Sequence, residues 1–366
     1  MNSEERYSRL ILSKVTGIGP KRFKIIEEKM NGNIVTLFKM RNKELYKFLG
    51  TNLADEFTKT LATFNLDLYL GDLKRRGIDF YVIGEDKYPF YLSNIPDFPI
   101  CIYFIGDLDQ DFLAKSISIV GTRSFTEYGS KITAEIITEL VKNKIAIVSG
   151  MAMGIDNIVH EECIKNGGYT VAVIPTSPDN PVPKINTGIY NRILNAGGVI
   201  VSEEDSIDKE IHPKMFALRN RIVAGLTQAT LVIEADIKSG ALITANNAFD
   251  NNRLVFAFPG NIYQSKSRGT NNLIKTDKAK LIENVDDILI ELGINNCELQ
   301  TNKHEYNPRT ELEVKVIKLV KVRECSLSQL SRDLNINISE LNSCISYLEI
   351  EGALAKDYKG NIRCML

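Results

Sequence analysis

Short apolar runs punctuate the middle of the chain: Ile117 to Val120, Ile145 to Val148, Val171 to Ile174, Val199 to Val201, Leu231 to Ile233 and Leu254 to Phe258. Ser118 aside, each is continuous rather than alternating, and a helix-length stretch separates each from the next. Strands buried on both faces read this way, so the pattern predicts a doubly wound, mostly parallel α/β sheet. Two further runs, Gly77 to Ile83 and Ile100 to Phe104, are interrupted by a proline- and aromatic-rich stretch and predict edge additions to that sheet. Together they predict a domain over residues 77–295.

Residues 1–70 predict helices with short polar connections. Within them Gly17-Ile18-Gly19 makes a tight turn and Pro20 pre-sets the first turn of the next helix. The stretch resembles a helix-hairpin-helix, in which backbone N–H groups at the start of the second helix can hold a phosphate, here with help from Lys21 and Arg22. A plain join between two packed helices accounts for the same glycines. A second glycine turn at Gly50, before Asn52 to Phe64, reads as a degenerate partner hairpin.

At the other end, residues 296–310 form a polar connector containing Pro308. Residues 311–366 then predict helices over Leu312 to Val322, Ser326 to Leu334 and Ser339 to Glu351, the last closed by Gly352. A hairpin turning at Tyr358-Lys359-Gly360-Asn361 follows, giving a winged-helix-like module. Its third helix carries Glu340, Glu349 and Glu351 and no Lys or Arg, which favours protein contact or a structural role over duplex readout.

At 366 residues the chain is long enough for two or three cores, and 44% hydrophobic with 25% charged residues is ordinary for a globular protein. A formal net charge of −1 excludes a globally basic nucleic-acid coat, so any phosphate contact must come from a local patch. No apolar run approaches the roughly 20 residues that span a bilayer, which predicts a soluble, cytoplasmic chain. Cys101, Cys163, Cys297, Cys325, Cys344 and Cys364 are scattered without ligand spacing, which predicts free thiols and no zinc.

In a parallel sheet ligands bind beyond the carboxyl ends of the strands, where Gly121, Gly150, Pro175 and Gly260 fall. A dinucleotide site is disfavoured because Gly121-Thr122-Arg123-Ser124-Phe125-Thr126 supplies only the first glycine of the fingerprint, and no acidic residue closes the second strand. A P-loop is absent as well. What the corners do supply is phosphate-compatible: Arg123, then Lys184 and Asn186, then Arg219 and Arg221 at the start of a helix. Ion pairing of Arg219 and Arg221 with Glu203, Glu204 or Glu234 is the structural alternative. Asp156 and His160, at i and i+4, could meet on one helix face as an acid-base pair, or Asp156 could simply cap its helix.

The ordered set Ile119-Val120-Gly121-Thr122-Arg123, Ser149-Gly150-Met151-Ala152-Met153-Gly154-Ile155-Asp156 with His160, and Arg219-Asn220-Arg221-Ile222-Val223-Ala224-Gly225-Leu226 is more specific. It continues through Ser239-Gly240-Ala241-Leu242-Ile243-Thr244-Ala245 and Pro259-Gly260-Asn261 to Gly269-Thr270-Asn271-Asn272-Leu273-Ile274. In these strings the chain resembles the DprA (Smf) family of DNA-processing proteins of bacterial natural transformation.

The resemblance implies an extended Rossmann-like domain, a helix-hairpin-helix or SAM-like N-terminal module and a winged helix at the C-terminus. It implies a homodimer that binds single-stranded DNA without catalytic turnover or cofactor and hands strands to RecA. Binding residues would be Arg123, Lys184, Asn186, Arg219, Asn220 and Arg221, with Gly121, Gly150, Ser239, Gly240 and Gly260 at the corners. The chain departs from the family at Pro175-Thr176-Ser177-Pro178-Asp179, at Val182-Pro183-Lys184 and at Ala217. Those prolines stiffen the loop, so base stacking is expected from Phe125, Tyr128 or Tyr190. A nucleotide or nucleoside-phosphate enzyme using Asp156 and His160 is the alternative.

Overall fold

The computed structural model describes residues 1–294, 308–322, 325–350, 353–356 and 361–364. The chain divides into two compact units, Met1–Leu292 and Gly293–Leu366. The connector expected over 296–310 lies outside the described residues up to position 307, as do Gly352 and the turn residues Tyr358, Lys359 and Gly360.

The larger unit begins with helices α1 (Ser3–Lys14), α2 (Pro20–Lys29), α3 (Val35–Phe38), α4 (Asn42–Leu49), α5 (Thr51–Thr63) and α6 (Leu66–Arg75). Strands β1 (Asp79–Val82) and β2 (Cys101–Ile105) follow, with the short helix α7 (Phe90–Ser93) between them and α8 (Gln110–Leu113) after. The alternating region then runs β3 (Ser116–Val120), α9 (Glu127–Lys142), β4 (Ala146–Ser149), α10 (Ile155–Lys165), β5 (Thr170–Val173), α11 (Thr187–Asn195) and β6 (Val199–Ser202). It continues with α12 (Pro213–Gly225), β7 (Ala229–Val232), α13 (Ala241–Asp250), β8 (Leu254–Ala257), α14 (Ser265–Lys275), β9 (Lys280–Leu281) and α15 (Val285–Glu291).

One nine-stranded sheet results, ordered β1-β2-β6-β5-β4-β3-β7-β8-β9. From β6 across to β9 every pairing is parallel, whereas β1 with β2 and β2 with β6 are antiparallel. Every residue of β3, β4, β5, β6 and β7 is buried, as unbroken apolar runs require. The polar exceptions are satisfied internally: Ser118 and Thr230 hydroxyls meet at 2.6 Å, and Ser149 donates to the Ile119 carbonyl at 2.7 Å.

The strand order reverses at β3. Strands β4, β5 and β6 are laid down on one side of it and β7, β8 and β9 on the other. Right-handed crossovers in the two directions put their helices on opposite faces, and the loops after β3 and β7 diverge to leave a crevice. The N-terminal helices share the sheet's core: Leu12, Phe23 and Phe57 pack in one cluster with Leu92, Ile95 and Phe98, and the Phe23 and Phe98 rings meet edge-on at 6.3 Å.

The smaller unit has helices α16 (Glu311–Val322), α17 (Leu327–Leu334) and α18 (Ile338–Ile350) and strands β10 (Cys325–Ser326), β11 (Leu354–Lys356) and β12 (Asn361–Cys364). Its sheet is ordered β10-β12-β11, all antiparallel, so the expected hairpin gains a third strand from the residues preceding α17. Ser326 and Gln329 close a reciprocal cap on α17, and Val316, Leu330, Leu341, Ile345 and Ile362 are buried together.

Candidate nucleic-acid interface

The crevice at the reversal point is a cleft of about 440 Å³. Its walls are Gly121 to Arg123 after β3, Gly150 and Ala152 after β4, Asp236 to Gly240 after β7, the Phe216, Arg219 and Asn220 face of α12, and Lys266 of α14. Four cations line it, Arg123, Arg219, Lys238 and Lys266, against the carboxylates Asp156 and Asp236. Among the described residues Arg123, Lys238 and Lys266 carry no ion-pair partner. The N-terminal ends of α10 and α13 abut the same space and add the positive ends of their dipoles.

Arg219 is held differently from the other three. Its side chain is buried, and its Nη1 donates to the carbonyls of Gly150 and Val173 while Nε reaches Asn220 Oδ1 at 3.2 Å. Asp156 sits opposite and accepts from the Ala152 N–H at 3.3 Å. Burial dominates both groups: it pushes the Asp156 carboxyl up to about 6 against the pull of Arg219, and brings the Arg219 guanidinium down to about 10 against the pull of Asp156. The two flank Gly150, where a Cβ would lie 2.8 Å from both Arg219 Nη2 and Asp156 Oδ2. Gly150→Ala is therefore expected to cost about 1–3 kcal/mol of stability by overpacking, read as a lowered thermal midpoint.

Sequence placed Arg219 and Arg221 at a helix start, but α12 begins six residues before Arg219, with Pro213 in the first turn and the His212 ring capping the Lys214 N–H at 3.3 Å. Both arginines are mid-helix, and two positions apart they point about 200° apart. Arg219 enters the cleft. Arg221 turns out of it and pairs with Glu203 at 2.5 Å and Asp97 at 3.4 Å. Of the other carboxylates expected behind the arginines, Glu204 pairs with Lys209 and Glu234 caps α9 through Thr126.

Other expected residues divide in the same way. Lys184 is exposed and donates to Asn180 Oδ1 at 2.8 Å, outside the cleft lining. Asn186 is 1% exposed, and its amide is spent on the Met151 carbonyl at 2.5 Å, so it fixes the loop after β4 rather than offering a donor to a ligand. Gly121 leaves room for Ile155, whose Cγ1 would stand 2.6 Å from an added Cβ, so this glycine serves helix packing. Ser239, Gly240 and Asn220 do line the cleft. Gly260 sits apart from the lining, tied to Asn271 by paired hydrogen bonds of 3.1 and 2.8 Å. Lys21 and Arg22 are exposed on the N-terminal hairpin, where Arg22 bonds back to the Gly17 carbonyl at 2.6 Å. Lys238 and Lys266 escaped the sequence reading because nothing in the chain says that β7 lies beside β3.

A second recess of about 380 Å³ opens off the cleft and shares Arg123, Gly150, Ala152, Pro213, Phe216 and Arg219 with it. The remainder of its wall is apolar: Met151, Met153, Pro175, Val182 and Pro183. Here Pro175 and Pro183 of the 175–186 loop serve as wall. Of the aromatics expected to stack, Phe125 and Tyr128 are exposed, but Tyr190 is buried among Met151, Ile174 and Ile189 and is withdrawn from any ligand.

The acid-base pairing of Asp156 with His160 does not form. His160 is fully buried, its Nδ1 meets Thr170 Oγ1 at 2.8 Å, and burial drives its imidazole down to about 3, with Arg219 adding to the effect. A ring sealed from solvent and held neutral cannot trade protons with a substrate in the cleft.

The family model for DNA recombination-mediator protein A matches residues 79–293, which hold the whole sheet and the cleft. The chain belongs to this family. It is similar to Protein Smf of Synechocystis sp., 33% identical over 302 residues that cover 80% of this chain and 73% of that protein. DNA processing protein DprA of Streptococcus pneumoniae is 38% identical over 211 residues, 58% of this chain and 73% of that one. The solved structure of the Streptococcus pneumoniae protein superposes with a TM-score of 0.66 at 31% identity, covering 78% of this chain and 97% of the other. That of DNA processing protein A from Helicobacter pylori, described as binding single-stranded DNA, gives 0.52 at 28% identity, covering 60% of this chain and 98% of the other. The Rossmann-like α/β fold is common to all three.

Proposed function

We propose that this chain binds single-stranded DNA, without sequence preference, in the cleft between the loops after β3 and β7. The observation that carries the reading is the juxtaposition of Arg123, Lys238 and Lys266, unpaired among the described residues, with an apolar recess, a pairing of charge and apolar wall that suits phosphates and an unstacked base. Phosphates take the cations, and one or more bases enter between Phe216 and Pro183. A duplex keeps its bases paired and stacked, so it forfeits the recess and binds through charge alone.

In this reading the protein is a cytoplasmic homodimer that shields incoming strands and passes them to RecA during recombination. It works by binding rather than by catalytic turnover, in keeping with the family's description as a recombination mediator. Transfer is read as faster RecA filament assembly on strands already coated by this protein.

The binding test is Arg123→Ala combined with Lys238→Ala, titrated against a fluorescent oligothymidylate over a range of salt. Each single-strand phosphate that goes unneutralised removes about 0.7 from the slope of log affinity against log salt, so the double variant should lose about 1.4. An unchanged slope moves the strand away from this cleft.

A further inference from the structure

Arg76, at the end of α6, lies outside the cleft lining and yet joins the loop after β5, which walls the apolar recess, to the loop after β6, which leads into α12, whose Pro213 and Phe216 also wall it. Its Nε and Nη2 grip both oxygens of Asp179 at 2.8 and 2.7 Å, in the loop after β5. The same Nη2 reaches Ser177 Oγ at 2.6 Å and the Asp205 carbonyl at 2.9 Å, in the loop after β6, while Nη1 is braced by Asp72 at 3.1 Å. Asp205 is held from a second side: Lys14 of α1 reaches its Oδ1 at 2.6 Å and the Tyr69 hydroxyl its Oδ2 at 2.5 Å.

A lone surface ion pair would mean little. This guanidinium is 15% exposed and bidentate, and its partners in the two loops lie 101 to 129 positions away in the chain. The loops it ties have consequences for the site. Three residues beyond Asp179 come Val182 and Pro183, and eight beyond Asp205 comes Pro213, all wall residues of the recess, with Phe216 in the following turn.

We infer that Arg76 is a positioning residue through which the N-terminal helices set the geometry of the DNA cleft. The inference rests on the single-stranded-DNA reading. Arg76 touches no strand itself; it keeps the 175–186 and 203–212 loops in the arrangement that leaves the recess open. If freeing the loops leaves one tenth of molecules competent, apparent affinity falls about tenfold while every phosphate in the bound complex is still neutralised.

The test uses the full chain carrying Arg76→Ala, with Arg76→Lys as a milder variant that keeps the charge and loses the fork. Hydrogen exchange is measured on the free protein, and oligothymidylate binding across salt. Expected are faster exchange confined to 175–186 and 203–212, unchanged protection in β3, β4 and β5, and about tenfold weaker binding on an unchanged salt slope. Unaltered exchange in both loops overturns the inference. So does a slope reduced by about 0.7, which would make Arg76 a phosphate ligand, or exchange accelerated throughout the unit in both variants, which would make it a general stabiliser. A wild-type protein that ignores the oligonucleotide overturns the binding reading instead, while the exchange result still decides whether Arg76 holds the loops.

Discussion

Replacing Arg219 with methionine is expected to lower the unfolding free energy of the Met1–Leu292 unit by about 3–5 kcal/mol at neutral pH. The side chain it removes is buried, neutralises Asp156 and satisfies the carbonyls of Gly150 and Val173. Methionine fills much of the volume but leaves a buried carboxylate without its counter-charge and two carbonyls without a donor. For a unit of this size the thermal midpoint should fall by roughly 5–8 °C.

The pH dependence of that loss has a definite sign. With its folded-state value raised, Asp156 contributes stability below about 3.8 that is lost as pH rises through about 6. Removing Arg219 takes away the pull that opposes the rise. The deficit should accordingly be smaller near pH 4, where only the two unmet carbonyls remain, and full at neutrality, and adding Asp156→Asn should restore part of it. A midpoint within about 2 °C of wild type at neutral pH would show that Arg219 is not the counter-charge.

His160→Asn should invert the response to acid. The imidazole titrates near 6.5 when exposed and near 3 when folded, so it contributes stability above pH 6.5 that disappears as pH falls through about 3, by up to about 5 kcal/mol in all. Between about pH 4 and 6 this slope runs against that of Asp156, and the wild-type protein should be nearly flat there. Asparagine retains a partner for Thr170 and cannot protonate. The variant should therefore lose about 2 kcal/mol as pH rises from about 4 to about 6, read from urea midpoints at stepped pH. Variant and wild-type profiles that run parallel would show that His160 does not titrate between the folded and unfolded states.

The sheet was legible because strands covered on both faces are apolar at most positions, and β3 through β7 depart from that only at Ser and Thr whose hydroxyls can be satisfied inside the sheet. Helix starts were legible where a cap or proline marks them, as Ser326 and Pro20 do. The cue at His212-Pro213 was equally present, and reading it would have put Arg219 and Arg221 mid-helix and on opposite sides. Lys184, Asn186 and Tyr190 lie in or beside a loop whose path depends on contacts with Arg76, Met151 and the core, none of them neighbours in sequence.

By itself the sequence determined which segments become buried strands, where the glycine corners fall and to which family the chain belongs, since all three follow from local pattern and ordered strings. Only the tertiary structure decided which cations share the cleft. Lys238 and Lys266 join Arg123 and Arg219 because β7 pairs with β3 across the reversal of strand order, and Arg221 leaves because a helix turns its side chains through about 100° per residue while Glu203 and Asp97 stand on the far side.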